Sequence, residues 1–256
     1  MIPSNDNIYE CPKCGHYLRN GALASGNTSR GTVYSDGKSI YPMLPDYPDL
    51  TKCKKCDNIF WLNDLVKIGE DDCAWWEKSN SKWANVEYAE FLGIKDLFRA
   101  LEISKPEKEK NIRIWIWWAF NDRIRDGGKE LFIGRCPKLS DLVNFKPRIK
   151  NIFSHITLFF KRFVTPSFIE VDDKDLWEQN CKALLNMLGT DNIHEKFMKI
   201  ELYRNLGEFE KCIDLIESIN VSDVEKKDLE WIIDLIFQLL FQAEKKDSLV
   251  FITSKW

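Results

Sequence analysis

Apolar residues recur with the spacing of amphipathic helices along most of the chain, but the first 60 residues follow a different pattern. Beyond Trp61 there is almost no strand-like alternation, and Gly or Pro separates the apolar segments. Pro106 favours a helix start, whereas Gly189 and Gly207 favour helix ends. The pattern predicts helices at residues 61–68, 83–92, 95–104, 107–125, 149–164, 173–188, 191–206, 208–219 and 223–243.

The N-terminal part carries short β-prone runs and turn-forming residues instead. Residues 32–34 and 39–41 flank Asp36-Gly37, and this arrangement predicts a β-hairpin. The prolines between residues 42 and 48 keep the chain extended and disfavour a helix there.

We therefore expect a mainly α protein with a small N-terminal module that contains β structure. The pattern divides the chain into a first module at residues 1–61, a helical domain at 62–170 and helical hairpins at 171–256.

The first module contains two pairs of cysteines, Cys11 with Cys14 and Cys53 with Cys56, and these pairs make it zinc-ribbon-like. Two residues between thiolates let both reach one ion, so the pairs predict a single tetrahedral site for one structural Zn²⁺. Four thiolates leave no coordination position open, which favours a structural ion over a catalytic one. A rubredoxin-like iron site and a redox dithiol are the alternatives, although only the first pair is followed by the glycine of a rubredoxin-like knuckle.

Residues 197–219 read as two amphipathic helices joined at Gly207. Tyr203, Gly207, Phe209 and Cys212 stand where the tetratricopeptide family has an aromatic residue, a glycine, an aromatic residue and an alanine. The segment thus resembles one tetratricopeptide-type helical hairpin, without a second copy at the period of about 34 residues that this family shows. The resemblance implies helical-hairpin packing.

The arrangement of the whole chain also resembles a group of proteins. Its two cysteine knuckles precede a helical region that ends in the tetratricopeptide-like hairpin, as in a group of uncharacterised bacterial proteins. The resemblance implies an architecture and carries no activity with it.

The polar loop between the cysteine pairs is a candidate partner-binding surface. Its side chains with hydrogen-bonding or charged groups are Asn27, Thr28, Arg30, Asp36 and Lys38. The alternative is that these residues serve only the turns of the loop.

Residues 112–120 are apolar around the whole helix circumference, as a central buried helix requires. Asn121, Asp122 and Arg123 follow at once. They are candidate partner contacts, or the edge of an enzyme pocket near residues 118–125.

Charge is distributed unevenly along the chain. Residues 129–170 carry 8 basic and 3 acidic side chains, whereas residues 171–256 carry 11 and 18. The acidic C-terminal part would repel phosphates, so nucleic-acid binding would fall to the ribbon and the basic segment at 129–170. Aromatic residues in that segment follow a helical stripe and equally suit a core-facing side.

The start of the chain lacks the basic and apolar regions of a secretory signal, and no apolar run reaches the roughly 20 residues that a membrane span requires. We expect a cytoplasmic protein. Only three histidines are present, no catalytic motif is found, and no catalytic residue is assigned. The leading hypothesis is a zinc-stabilised adaptor or scaffold that binds a protein partner; nucleic-acid binding and an enzyme are the alternatives.

Overall fold

The computed structural model describes residues 2–71, 82–131, 173–219 and 229–255. The chain forms two compact units, each of which is discontinuous in sequence. The first contains Met1–Val33, Ser39–Ile112 and Ser254–Trp256; the second contains Tyr34–Lys38 and Arg113–Thr253. The predicted helix at 149–164 and nearly all of the basic segment at 129–170 lie outside the described residues.

Short strands make up most of the described secondary structure before residue 72. They are β1 (Ile2–Pro3), β2 (Asp6–Glu10), β3 (Tyr17–Asn20), β4 (Leu23–Ser25), β5 (Thr32–Tyr34), β6 (Ser39–Ile40), β7 (Leu50–Lys52), β8 (Ile59–Trp61) and β9 (Gly69–Asp71), with β10 (Ile252–Lys255) near the C-terminus. The sheets have the strand orders β1-β4, β10-β5-β6, β3-β2-β9 and β7-β8.

The remaining elements are helices. They are α1 (Ile94–Ile103), α2 (Pro106–Leu131), α3 (Asp173–Met187), α4 (Ile193–Asn205), α5 (Phe209–Glu217) and α6 (Leu229–Glu244). A helical C-terminal part and small antiparallel sheets in the N-terminal part are therefore confirmed. The predicted hairpin is also present, because β5 and β6 pair through Val33 and Ser39, and Gly37 between them has φ +79°.

Two predicted helices are wrong. Residues 61–68 form the end of β8, a 3₁₀ turn at Leu62–Asp64 and an extended stretch that leads into β9, which pairs with β2. Residues 83–92 contain turns and extended backbone. The reason is backbone pairing with β3: Arg19 donates to the Glu87 carbonyl at 2.9 Å, and Ala89 donates to the Arg19 carbonyl at 2.7 Å.

A buried ion cluster joins these strands in the first unit. The guanidinium of Arg19 contacts the carboxylates of Asp6, at 3.2 Å, and Asp71. It also donates to the Trp83 carbonyl at 2.8 Å, while the Tyr88 hydroxyl donates to Asp6 at 2.5 Å. The buried side of this sheet therefore includes charges, which hid its strands from a search for apolar alternation.

The Trp-rich helix predicted as a core element is α2. Its residues Ile116, Trp117 and Phe120 are buried, and no residue from 112 to 123 is exposed. The core prediction for this stretch is confirmed.

Helices α4 and α5 form a hairpin whose turn is closed by Gly207. Gly207 has φ +77°, and the bonds from Glu208 N–H to the Tyr203 carbonyl and from Gly207 N–H to the Arg204 carbonyl make a Schellman motif. One core cluster unites residues from α4, α5 and α6. Its buried members are Phe197, Ile200, Cys212, Ile216, Ile232, Leu239 and Ala243.

Replacing Gly207 by alanine should destabilise the second unit by about 1–2 kcal/mol, because a Cβ is disfavoured in left-handed backbone. Chemical denaturation monitored by circular dichroism measures the loss. Gly207→Asn is the matched control and should cost less, since asparagine tolerates this conformation better. Equal losses for the two variants would show that backbone strain is not the cause.

Candidate metal centre

The first cysteine pair lies in the turn between β2 and β3. Cys11 N–H donates to the His16 carbonyl at 2.8 Å, and Gly15 N–H donates to the Cys11 carbonyl at 3.0 Å. Gly15 has φ +70°, a conformation that glycine adopts without strain. This tight turn brings Cys11 and Cys14 to the same side of the hairpin end.

The second pair repeats this backbone geometry between β7 and β8. Cys53 N–H donates to the Asn58 carbonyl at 2.8 Å, and Asp57 N–H donates to the Cys53 carbonyl at 2.9 Å. Asp57 stands where the first turn has glycine and takes φ +55°. Aspartate is one of the few other residues that visit this region.

The two turns bring four sulfur atoms together. The Sγ atoms of Cys11, Cys14, Cys53 and Cys56 all lie within 4.8 Å of one another. Cys11 and Cys56 are 3.7 Å apart at sulfur, and Cys14 and Cys53 are 3.6 Å apart. These separations are too long for disulfides and match the roughly 3.8 Å between corners of a tetrahedron with metal–sulfur bonds of about 2.3 Å. Four cysteines so placed can hold a metal ion.

The surroundings of the sulfurs are apolar. Cys11 and Cys53 are buried and pack with Leu18, Phe60 and Leu62. Burial raises the pKa of the Cys11 thiol to about 12. Because a metal ligand is the thiolate, metal binding at this site must displace a proton from Cys11.

The lysines beside the second knuckle are engaged by acidic side chains of the same unit. Lys52 contacts Asp96 at 2.8 Å and Asp57 at 3.7 Å. Lys54 contacts Glu90 at 2.7 Å and Glu87 at 3.6 Å. The ion pairs reduce the positive potential that this face of the first unit would offer to a phosphate backbone.

The two cysteines described in the second unit belong to its interior. Cys181 and Cys212 are fully buried, and burial raises the pKa of the Cys212 thiol to about 12. Both therefore stay protonated and act as small core residues.

Three of the predicted partner-binding residues are exposed on one turn. Asn27, Thr28 and Arg30 lie in the stretch between β4 and β5. The Asn27 side chain accepts a bond from Ser29 N–H at 3.0 Å, Gly31 N–H donates to the Thr28 carbonyl at 3.0 Å, and Arg30 has φ +60°. The turn is shaped by its own bonds while its side chains face solvent.

Asp36 and Lys38 are placed differently, because the structure brings them to α2. Asp36 is fully buried, and its carboxylate accepts a bond from Asn121 Nδ2 at 2.7 Å. Trp118 Nε1 donates to the Asp36 carbonyl at 3.0 Å, and Lys38 Nζ contacts Asp122 at 2.5 Å. The expectation that Asp36 faces a partner is corrected: its carboxylate is enclosed by its own chain, and the same applies to Asn121, which is buried.

The three polar residues predicted at the edge of an enzyme pocket near residues 118–125 make contacts within the second unit. Asn121 and Asp122 bind Asp36 and Lys38, while Arg123 Nη1 contacts Asp173 at 2.5 Å. Each of the three side chains thus contacts a residue of the same unit.

A buried polar cluster in the second unit was not predicted. The Glu201 carboxylate, fully buried, accepts bonds from Ser35 Oγ at 2.7 Å and from Arg204 at 2.6 and 2.8 Å. Asn205 Nδ2 donates to the same carboxylate at 3.2 Å, and Trp117 Nε1 donates to Asn205 at 2.9 Å. Burial raises the pKa of Glu201, and the bonds from Arg204 and Ser35 oppose that shift.

The sequence contained one weak signal for this cluster. Glu201 and Arg204 are three residues apart within a helix otherwise read as amphipathic. Such a pair is usually an exposed ion pair, so its burial could not be foreseen.

No known protein family, no curated protein and no solved structure matches this chain. In the described residues, no helix has the combined length and apolar character that crossing a membrane would require.

Proposed function

We propose that this chain is a cytoplasmic protein-interaction protein, an adaptor or scaffold, stabilised by one structural Zn²⁺. The observation that carries the proposal is the set of four sulfur atoms within 4.8 Å of one another. Four thiolates complete a tetrahedral shell, so zinc bound there has no position for water or substrate and acts on folding.

The donor set fits zinc because four thiolates around a closed tetrahedron are the commonest structural zinc arrangement in small ribbons. Cys11 and Cys14 would supply two ligands from one hairpin, and Cys53 and Cys56 would supply two from the other. Zinc has no redox chemistry of its own, and its contribution would be to hold the two hairpins together.

The surface offered to a protein partner would be the exposed turn with Asn27, Thr28 and Arg30. The bond from Ser29 N–H to the Asn27 side chain and the backbone bond from Gly31 N–H to Thr28 fix the turn in advance, which lowers the entropy lost when a partner binds. The α4–α5 hairpin, which we interpret as tetratricopeptide-like, would contribute to the core of the second unit. A protein partner is favoured over nucleic acid because Lys52 and Lys54 are held by acidic neighbours.

The proposal is tested by affinity capture from the cells of origin with the full chain as bait. The triple variant Asn27→Ala, Thr28→Ala and Arg30→Ala should lose at least about tenfold of the captured partner, as the loss of a binding hot spot predicts. Quantitative mass spectrometry of the captured proteins measures the effect.

The matched control replaces an asparagine, a threonine and a basic residue that are exposed elsewhere: Asn186, Thr190 and Lys182, each to alanine. The control should capture as much partner as the wild type. If both triple variants capture the same proteins in the same amounts, the turn is not the docking surface.

A further inference from the structure

Five residues between the two cysteine pairs belong to the second unit. These residues, Tyr34–Lys38, are called the inserted segment below. The chain leaves the first unit after Val33 in β5 and returns to it at Ser39 in β6. Val33 and Ser39 pair with each other across the two strands. The inserted segment is therefore the end of a hairpin whose base belongs to the unit that carries the cysteines.

The inserted segment supplies hydrogen-bond partners to buried polar side chains of the second unit. Asp36 accepts bonds from Asn121 and from Trp118, and Ser35 Oγ donates to Glu201. Ser35 also exchanges backbone and side-chain bonds with Phe251, at 2.8 and 3.0 Å. Withdrawal of the segment would take the Asp36 carboxylate from the buried Asn121 side chain and one hydrogen-bond donor from the buried Glu201 carboxylate, and losing a hydrogen-bond partner at a buried polar group is disfavoured.

Metal binding would make this insertion easier. A metal that joins Cys14 to Cys53 closes the segment 15–52, in which the inserted segment lies. With the first unit folded, the two arms of the hairpin are held side by side. If the first unit were unfolded, residues 39–112 would be a long loop between the inserted segment and the rest of the second unit. Insertion would then have to close that loop, and the entropy lost on closing it opposes insertion.

We propose that the four-cysteine site and the helical unit are thermodynamically linked through the inserted segment, so that metal binding stabilises the insertion of Ser35 and Asp36. Linkage is reciprocal, so insertion strengthens metal binding by the same factor. This linkage rests on one part of the proposed function, namely that the four cysteines hold a metal ion. This linkage makes the helical unit responsive to metal supply. Loss of the ion would expose the site where the inserted segment binds, formed by Asn121, Trp118 and Glu201.

The first test measures zinc affinity of the full chain by competition with a chromogenic chelator. Asp36→Ala should bind zinc more weakly than the wild type, by between about fivefold and 150-fold, the usual range of coupling between sites. Asp64→Ala is the control, since Asp64 is an exposed acid of the first unit paired with Lys108. Equal affinities for the wild type and Asp36→Ala would overturn the linkage.

The second test uses the wild-type chain, so it stands even if Asp36→Ala misfolds. Hydrogen–deuterium exchange is followed in α4, which carries Glu201 and Arg204, before and after zinc is removed with a chelator. Faster exchange in α4 after zinc removal is expected, and unchanged exchange would overturn the proposal. If the chain binds zinc but exchange in α4 does not change, only the linkage is refuted. If the chain binds no zinc, the proposed metal site is refuted as well.

Discussion

Replacing Cys53 by serine should remove the metal and unfold the first unit. Serine does not supply a thiolate, and the three remaining cysteines would leave a buried, incomplete site. A structural four-thiolate zinc site contributes on the order of 10 kcal/mol to folding, more than a small β module can supply from its core. Elemental analysis by mass spectrometry and thermal melting of both proteins measure the two effects, with one zinc per chain expected in the wild type.

Cys212→Ala is the matched control for this experiment. Cys212 is fully buried in the core cluster of the second unit and does not belong to the four-cysteine site. Its replacement should keep zinc bound and lower stability modestly. Iron in the wild type would refute zinc, and zinc retained at full occupancy in Cys53→Ser would refute the four-cysteine site.

The second large effect is expected at Arg204. Arg204→Met should destabilise the second unit by about 3–5 kcal/mol, because it leaves the buried carboxylate of Glu201 without its charged partner. The double variant Glu201→Gln with Arg204→Met should regain part of the loss, since no unpaired charge remains. Urea denaturation of the three proteins measures the differences.

The deficit of Arg204→Met should also depend on pH. Burial already raises the pKa of Glu201, and removing Arg204 takes away a group that opposes the shift. A carboxyl whose pKa is raised in the folded state favours folding most at low pH, and this contribution disappears as the pH rises through the folded pKa. The deficit should thus grow as the pH rises above the ordinary range of glutamic acid.

Lys182→Met is the control, because Lys182 forms an exposed pair with Glu178 at 3.3 Å. Exposed pairs contribute about 0–1 kcal/mol, so the change should be small at every pH. If Arg204→Met behaved like Lys182→Met, the buried pair would not stabilise the second unit.

Local sequence signals were sufficient where a structural requirement is itself local. The spacing of Cys11, Cys14, Cys53 and Cys56 predicted the sulfur cluster, because two residues between thiolates fix how far each pair can reach. Asp36-Gly37 predicted the β5–β6 hairpin through turn geometry alone. Long helical segments likewise predicted α1, α3, α4 and α5 within two residues at each end, the start of α2 and, for the part of the chain described, α6; the predicted end of α2 at residue 125 falls short of Leu131.

The same signals failed where distant residues decide the outcome. Strands β2 and β3 escaped detection because Asp6 and Arg19 are buried as an ion pair, which reverses the usual polarity of a buried position. The fate of Asp36 depended on Asn121, which is 85 residues away in sequence. No local sequence pattern shows that an aspartate in a turn accepts a hydrogen bond from a buried side chain such as Asn121.

The division of each unit into separate stretches of sequence has a consequence for how this protein can be divided in evolution or in the laboratory. A cut that keeps Arg113–Thr253 alone discards Ser35 and Asp36, although both contribute to the interior of that unit. Neither unit can be transferred as one continuous segment, because recombination at any junction between residues 35 and 201 separates Glu201 from Ser35. We expect the two parts of the chain to be inherited together, and fusion partners to be tolerated at the outer ends or in exposed turns only.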